Sequence, residues 1–153
     1  MNFTKVFKNE IRIVGIAIRT TNQNGQSRTD LSKLWKRFES DAIASKIPHK
    51  VSNDVFSVYI DYDSDFTQPY TALIGCEVKD FSQIPSGMVS KTIPAATYAV
   101  FTAKGKLPQS ILEVWKYVWS FDLPRAYTGD FEVYGEKSKA ADTEVEVFVS
   151  VKD

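Results

Sequence analysis

Glu132 lies between Phe131 and Val133 in the run Asp130-Phe131-Glu132-Val133-Tyr134-Gly135-Glu136. Read as a strand, the run alternates: Phe131 and Val133 point to one side, Glu132, Tyr134 and Glu136 to the other. A carboxylate beside a tyrosine on a short aromatic-rich strand suits two kinds of chemistry. It can be the counter-charge of a bound cation, with aromatic faces each adding cation–π attraction of roughly 0.5–2 kcal/mol. With the tyrosine, it can also activate water. The same layout recurs at Phe56-Ser57-Val58-Tyr59, with serine where the later run has glutamate. A packing pattern kept twice and altered at one position marks Glu132 as the asymmetric group of a symmetric frame. In an apolar pocket, desolvation would raise its pKa, and a bound cation would lower it again.

The elements that must hold these strands follow from periodicity and punctuation. Ile11 to Thr21 is dense in β-branched residues and reads as a strand. Asn22 to Ser27 reads as a polar loop, and Thr29 or Asp30 as the cap of a helix with Leu31, Leu34, Trp35, Phe38 and Ala42 at helical spacing. Val55–Asp61 and Tyr70–Val78 are expected strands. Asp80–Thr92, with Pro85, Ser86 and Gly87 at its middle, reads as a crossover. Beyond it the pattern restarts: a strand over Ala95–Lys104, then Pro108 in the first turn of a helix. That helix carries Ile111, Val114, Trp115 and Val118 as its buried stripe. A loop over Leu123–Thr128, a strand over Phe131–Glu136, a turn over Ala140–Thr143 and a last strand over Glu144–Val151 complete the chain.

The two halves align element by element. An offset of about 80 residues carries Ile111, Val114, Trp115 and Val118 onto Leu31, Leu34, Trp35 and Phe38. Shorter offsets superpose Phe131, Val133 and Tyr134 on Phe56, Val58 and Tyr59, and the four valines of 145–151 on Ala72, Ile74, Cys76 and Val78. This predicts an α+β fold: duplicated β-α-β-β units, tandem and pseudo-two-fold, with antiparallel sheet and one main helix per unit. Phe131, Val133, Phe56 and Val58 are expected beneath the helices. Tyr59, Leu73, Glu132, Tyr134, Glu146 and Phe148, on the opposite face, are expected at the seam between the halves, where a ligand cleft would form.

In these features the chain resembles the GyrI-like effector-binding domains. The resemblance rests on the duplicated pattern, the Leu-Trp-Lys helix, the strand Asp-Phe-Glu-Val-Tyr and the terminal Asp-Thr-Glu-Val-Glu-Val-Phe-Val-Ser-Val-Lys, and it spans about Ile11 to Lys152. This family includes drug-binding domains of multidrug-sensing transcription regulators, stand-alone gyrase-inhibitory proteins and small integron-cassette drug-binding proteins. It implies one effector-binding domain over residues 1–153, built of repeats 10–79 and 93–152. It also implies a central aromatic pocket for lipophilic, often cationic, molecules. Glu132 would meet the ligand's charge, and Tyr134, Phe148, Tyr59, Tyr98 and Trp119 would supply the walls. Hydrolysis of reactive electrophilic compounds and gyrase-inhibitor-like protein binding remain the alternatives.

Composition narrows the remaining classes. Acids and bases balance at 19 each, so no net field recruits nucleic acid or an anionic membrane. The duplication leaves no stretch for a helix-turn-helix, so direct DNA binding is not expected. No apolar run approaches the ~20 residues of a membrane helix. One cysteine, Cys76, excludes an internal disulfide, reads as a buried hydrophobe and fits a cytoplasmic setting. His49 has no companion ligands, and no P-loop, nucleophile elbow or dinucleotide fingerprint occurs; neither metal nor cofactor is expected. The run Asp61-Tyr-Asp-Ser-Asp lacks an EF-hand's glycine and glutamate and reads as a solvated turn. Trp35 and Trp115 sit on core stripes; Trp119, where the first copy has Glu39, falls outside them.

Overall fold

Eight strands share a single antiparallel sheet in a computed structural model that describes residues 1–139 and 143–152. In chain order the elements are β1 (Thr4–Lys8), β2 (Ile11–Thr20), α1 (Gln26–Ser40), α2 (Ile43–Lys46), β3 (Val55–Ile60), β4 (Tyr70–Glu77), β5 (Val89–Ile93), β6 (Ala96–Lys104), α3 (Gln109–Ser120), β7 (Asp130–Tyr134) and β8 (Glu144–Val151). The expected turn at Ala140–Thr143 falls, over 140–142, outside the described residues. The sheet order is β1-β6-β8-β7-β3-β4-β2-β5. From the central β7–β3 pair outward, each half runs through the same kinds of strand: β8, β6 and β1 on one side, β4, β2 and β5 on the other. The topology is therefore α+β and internally repeated, as the sequence pattern implies.

Two strands escaped the sequence reading, and both join the halves. β1 precedes β2 but pairs with β6 of the other half, Thr4 opposite Val100 to Lys8 opposite Ala96. β5, inside the expected crossover, precedes β6 but pairs with β2, Ile11 opposite Ile93 to Gly15 opposite Val89. Each is a five-residue edge strand rich in Lys, Thr or Ser, β1 largely exposed and β5 buried only at Ile93, so neither shows the one-sided apolar alternation of a half-buried strand. Helix α1 also begins earlier than expected. Asn24 and Gly25 take left-handed conformations just before it, and Asp30 accepts hydrogen bonds from Thr20 Oγ1 (2.8 Å) and Gln26 Nε2 (3.1 Å) instead of capping.

The assignment of faces is reversed. Helix α3 packs Ile111, Val114, Trp115 and Val118 onto Ala99, Phe101, Val145, Val147 and Val149, and this same face carries Tyr59. Helix α1 lays Leu34 and Phe38 over Val14, Ile16, Ile74 and Cys76. Phe56, Val58, Phe131, Phe148, Tyr98 and Leu73 lie on the other side, in a buried cluster to which no helix contributes. These side chains pack on one another, and Lys8 Nζ lies 5.0 Å from the centre of the Phe148 ring. Phe131 and Phe148 stack at 4.6 Å. Gly15 and Gly75 face each other in the β2–β4 pair, and a Cβ on either would lie 2.1–2.2 Å from a carbonyl oxygen of the facing strand. Only glycine permits backbones that close.

Candidate functional site

The strands β3 and β7, at the centre of the sheet, place Ser57 directly opposite Glu132. Period-2 alternation then sends Tyr59 and Tyr134, each two residues further along its strand, to the same helix-covered face. Above them stand α1 and α3, and between the helices and the sheet lies a cavity of about 720 Å³. That is the size of a pocket for a drug-sized molecule. Trp35 of α1 and Trp115 and Trp119 of α3 form walls, while Tyr59, Glu132 and Tyr134 line the sheet side. The mouth is aromatic too: Phe66, from the β3–β4 loop, stacks on the 37% exposed Trp119 at 6.0 Å.

Glu132 is only 2% exposed. Its Oε2 accepts from the Tyr59 hydroxyl (2.8 Å) and the Trp115 indole Nε1 (2.7 Å), and its Oε1 accepts from the Tyr134 hydroxyl. Ser57 Oγ donates to the Tyr59 oxygen at 3.1 Å, so the twin position of Glu132 supports one of its donors. Burial pushes the Glu132 carboxyl above its ordinary range, and the three donors pull it back only in part. Burial, followed by the nearby carboxylate, raises the Tyr59 and Tyr134 phenols far above theirs, so both hydroxyls stay protonated and able to donate. The rings are fixed edge to face: Tyr59 on Trp115 at 5.5 Å and Trp35 on Tyr134 at 5.0 Å. The three side chains that donate to the carboxylate are all uncharged.

Of the residues singled out by sequence, Glu132, Tyr134, Tyr59 and Trp119 line this cavity together. Phe148 and Tyr98 are not with them; they pack edge to face at 5.9 Å on the opposite side of the sheet. The reason is register. Glu132 stands opposite Val147, and Phe148 is opposite Phe131, so Phe148 takes the face Glu132 does not. Glu146 and Leu73 depart from the expected grouping through the same alternation. Trp35 and Trp115, expected as core, are both cavity walls; Trp115 is also buried, at 8%, whereas Trp35 is only half-buried. Their status as twins was visible in the sequence. The indole hydrogen bond from Trp115 to Glu132 carries no signal in the sequence. Arg125 also lines the cavity and was not anticipated.

Residues 6–151 match the family described as integron-associated effector binding protein. The YobU protein of Bacillus subtilis (strain 168) is 26% identical over 147 residues, covering 92% of each chain. The crystal structure of the integron cassette protein VCH_CASS2 from the mobile metagenome of Vibrio cholerae is similar with a TM-score of 0.77 and 28% identity, over 99% of this chain and 97% of that one. SAV2435, in a structure bound to tetraphenylphosphonium, superposes with a TM-score of 0.81 over 99% of this chain and 94% of that one, at 18% identity. No helix among the described residues is long and apolar enough to cross a membrane.

Proposed function

We propose that this chain, which belongs to the integron-associated effector binding protein family, binds lipophilic cations in the cavity over the β3–β7 junction, with Glu132 as their counter-charge. The observation that carries this reading is a nearly inaccessible carboxylate whose hydrogen-bond partners, Tyr59, Trp115 and Tyr134, are all uncharged. Desolvation makes that charge costly in the empty pocket, and a cation brought beside it recovers the cost. The aromatic walls reward a cation whose charge is spread over apolar groups, and they do so without demanding one shape. Tetraphenylphosphonium, the ligand of SAV2435, has this chemistry and supports the reading. Three donors already hold the carboxylate, which suits a fixed counter-charge better than a base that must take and shed protons.

The test is Glu132→Gln, titrated with tetraphenylphosphonium and with neutral triphenylphosphine oxide. Loss of a charge-assisted contact should weaken the cation by about 1.5–3 kcal/mol, roughly tenfold to hundredfold, and leave the neutral probe close to its wild-type affinity. Equal weakening of both probes, or of neither, removes Glu132 from the recognition of charge.

A further inference from the structure

The same cavity has a second polar wall, at Arg125. The segment that carries it is tied to β8: Ala126 N donates to Ser150 O at 2.9 Å, and Lys152 N donates to Pro124 O at 2.7 Å. The arginine side chain is 5% exposed, and its Nη2 donates to Asp130 Oδ2 at 2.6 Å. Asp130 is otherwise satisfied, accepting from Tyr62 OH (2.7 Å), Ser150 N (2.8 Å) and Ser150 Oγ (3.1 Å). Arg125 is not satisfied: Nε and Nη1 are buried and have no acceptor. The ring of Tyr127 lies 4.3 Å from the guanidinium carbon, and those of Trp115 and Tyr62 at 5.8 and 5.9 Å. Cation–π contacts attract the charge but give N–H groups no lone pair in their plane. Buried donors of this kind are rare in folded proteins unless something outside the chain completes them.

We infer that Arg125 is the second pole of the binding site, where its free Nε and Nη1 N–H groups receive a neutral carbonyl oxygen of the ligand. The inference rests on the cation reading and narrows it: the ligand is a lipophilic cation that also carries a carbonyl. Charge counting favours a carbonyl over a carboxylate. Asp130 already neutralises Arg125, so an ionised Glu132 leaves the buried site one negative charge in excess. A ligand with one positive charge and an uncharged acceptor brings that sum to zero; a zwitterion would leave the excess in place. Trp115 and Tyr62 line the cavity together with Arg125, and their rings flank its guanidinium. Trp115 touches both poles, with its indole N–H on Glu132 and its ring toward Arg125.

The experiment compares (3-acetylbenzyl)- and (4-acetylbenzyl)triphenylphosphonium with the 4-isopropylbenzyl analogue, all of equal charge and similar bulk. Wild type should bind at least one acetyl probe about tenfold more tightly than the isopropyl probe. The carbonyl stretch of that bound, isotope-labelled probe should move to the lower wavenumber of a hydrogen-bonded ketone. In Arg125→Lys, which keeps a cation beside Asp130, the ratio between the probes should collapse towards one. The infrared reading on wild type decides the matter even if that variant does not fold. All probes binding alike, with the carbonyl band unshifted, overturns the second pole and leaves the cation reading standing. No binding by any of the three overturns both.

Discussion

Glu132 and Ser57 are partners across one strand pair, and the difference between them gives the site its charge. In the folded protein the Glu132 carboxyl titrates above its ordinary value of 4.5 because burial disfavours the ion. A raised folded-state value means that this group's stabilisation is fully present below the unfolded pKa and is lost as pH climbs through the folded one. A permanent cation favours the ionised form and reverses that dependence. Its affinity should therefore rise with pH while the free protein still holds the Glu132 proton that the complex has shed, and level off above the raised value of the free protein. Calorimetric titration of tetraphenylphosphonium across that range checks this. The slope should vanish in Glu132→Gln, and an unchanged slope there would assign the proton to another group.

The strands and helices bring this chemistry into place through two devices. The first is alternation: Tyr59 and Tyr134 reach Glu132 because each follows its partner position by two residues on a central strand. The second is close packing of strand against strand, with the aromatic cluster of Phe56, Phe131, Phe148 and Tyr98 buried on the face without helices. Gly75 allows β2 and β4 to meet where the second half has Phe148 and Val100. In Gly75→Ala the new Cβ would stand 2.2 Å from the Val14 carbonyl oxygen, and the backbone would have to give way. The cost should be about 1–3 kcal/mol, as in an overpacked core. Thermal melts should show a drop of several degrees. A variant as stable as wild type would mean that the strands can part freely at this crossing.

At the scale of the whole molecule, the exchanged strands make the halves mutually dependent. β1 completes the sheet edge of β6, and β5 that of β2, while the β3–β7 pair joins the centre. We expect residues 1–153 to behave as one effector-binding domain of two repeats, 10–79 and 93–152, that unfolds in a single transition. Far-ultraviolet circular dichroism and tryptophan fluorescence should give coincident denaturation curves. Separate fragments over 1–79 and 86–153 should each lack a cooperative melt, because each exposes the central strand edge and loses one borrowed neighbour. A fragment that melts cooperatively by itself would show that the exchange is ornamental.

The sequence by itself determined the strong elements. β8 follows its expected bounds, Glu144–Val151, because four valines alternate without interruption; the second long helix follows its apolar stripe, whereas the first ends at Ser40 and leaves Ala42, expected on its stripe, exposed in a left-handed turn beyond it. It also determined the pairing of the copies, since Trp35 with Trp115 and Ser57 with Glu132 could be matched by offset alone. The faces are not legible in the sequence, because the central strands are buried on both sides: Ser57 and Glu132 lie as deep as Val58 and Phe131, so polarity does not mark the side away from the helices. Phe148 and Tyr98 were consequently grouped with Glu132, and only antiparallel register sends them to the opposite face. Edge strands β1 and β5 gave no signal because their role is backbone pairing, which leaves side chains free to be polar. The donors on Glu132 and the incomplete hydrogen bonding of Arg125 were decided by tertiary structure. They depend on where α3 and the segment after it come to rest over β7, and a one-dimensional pattern does not encode that distance.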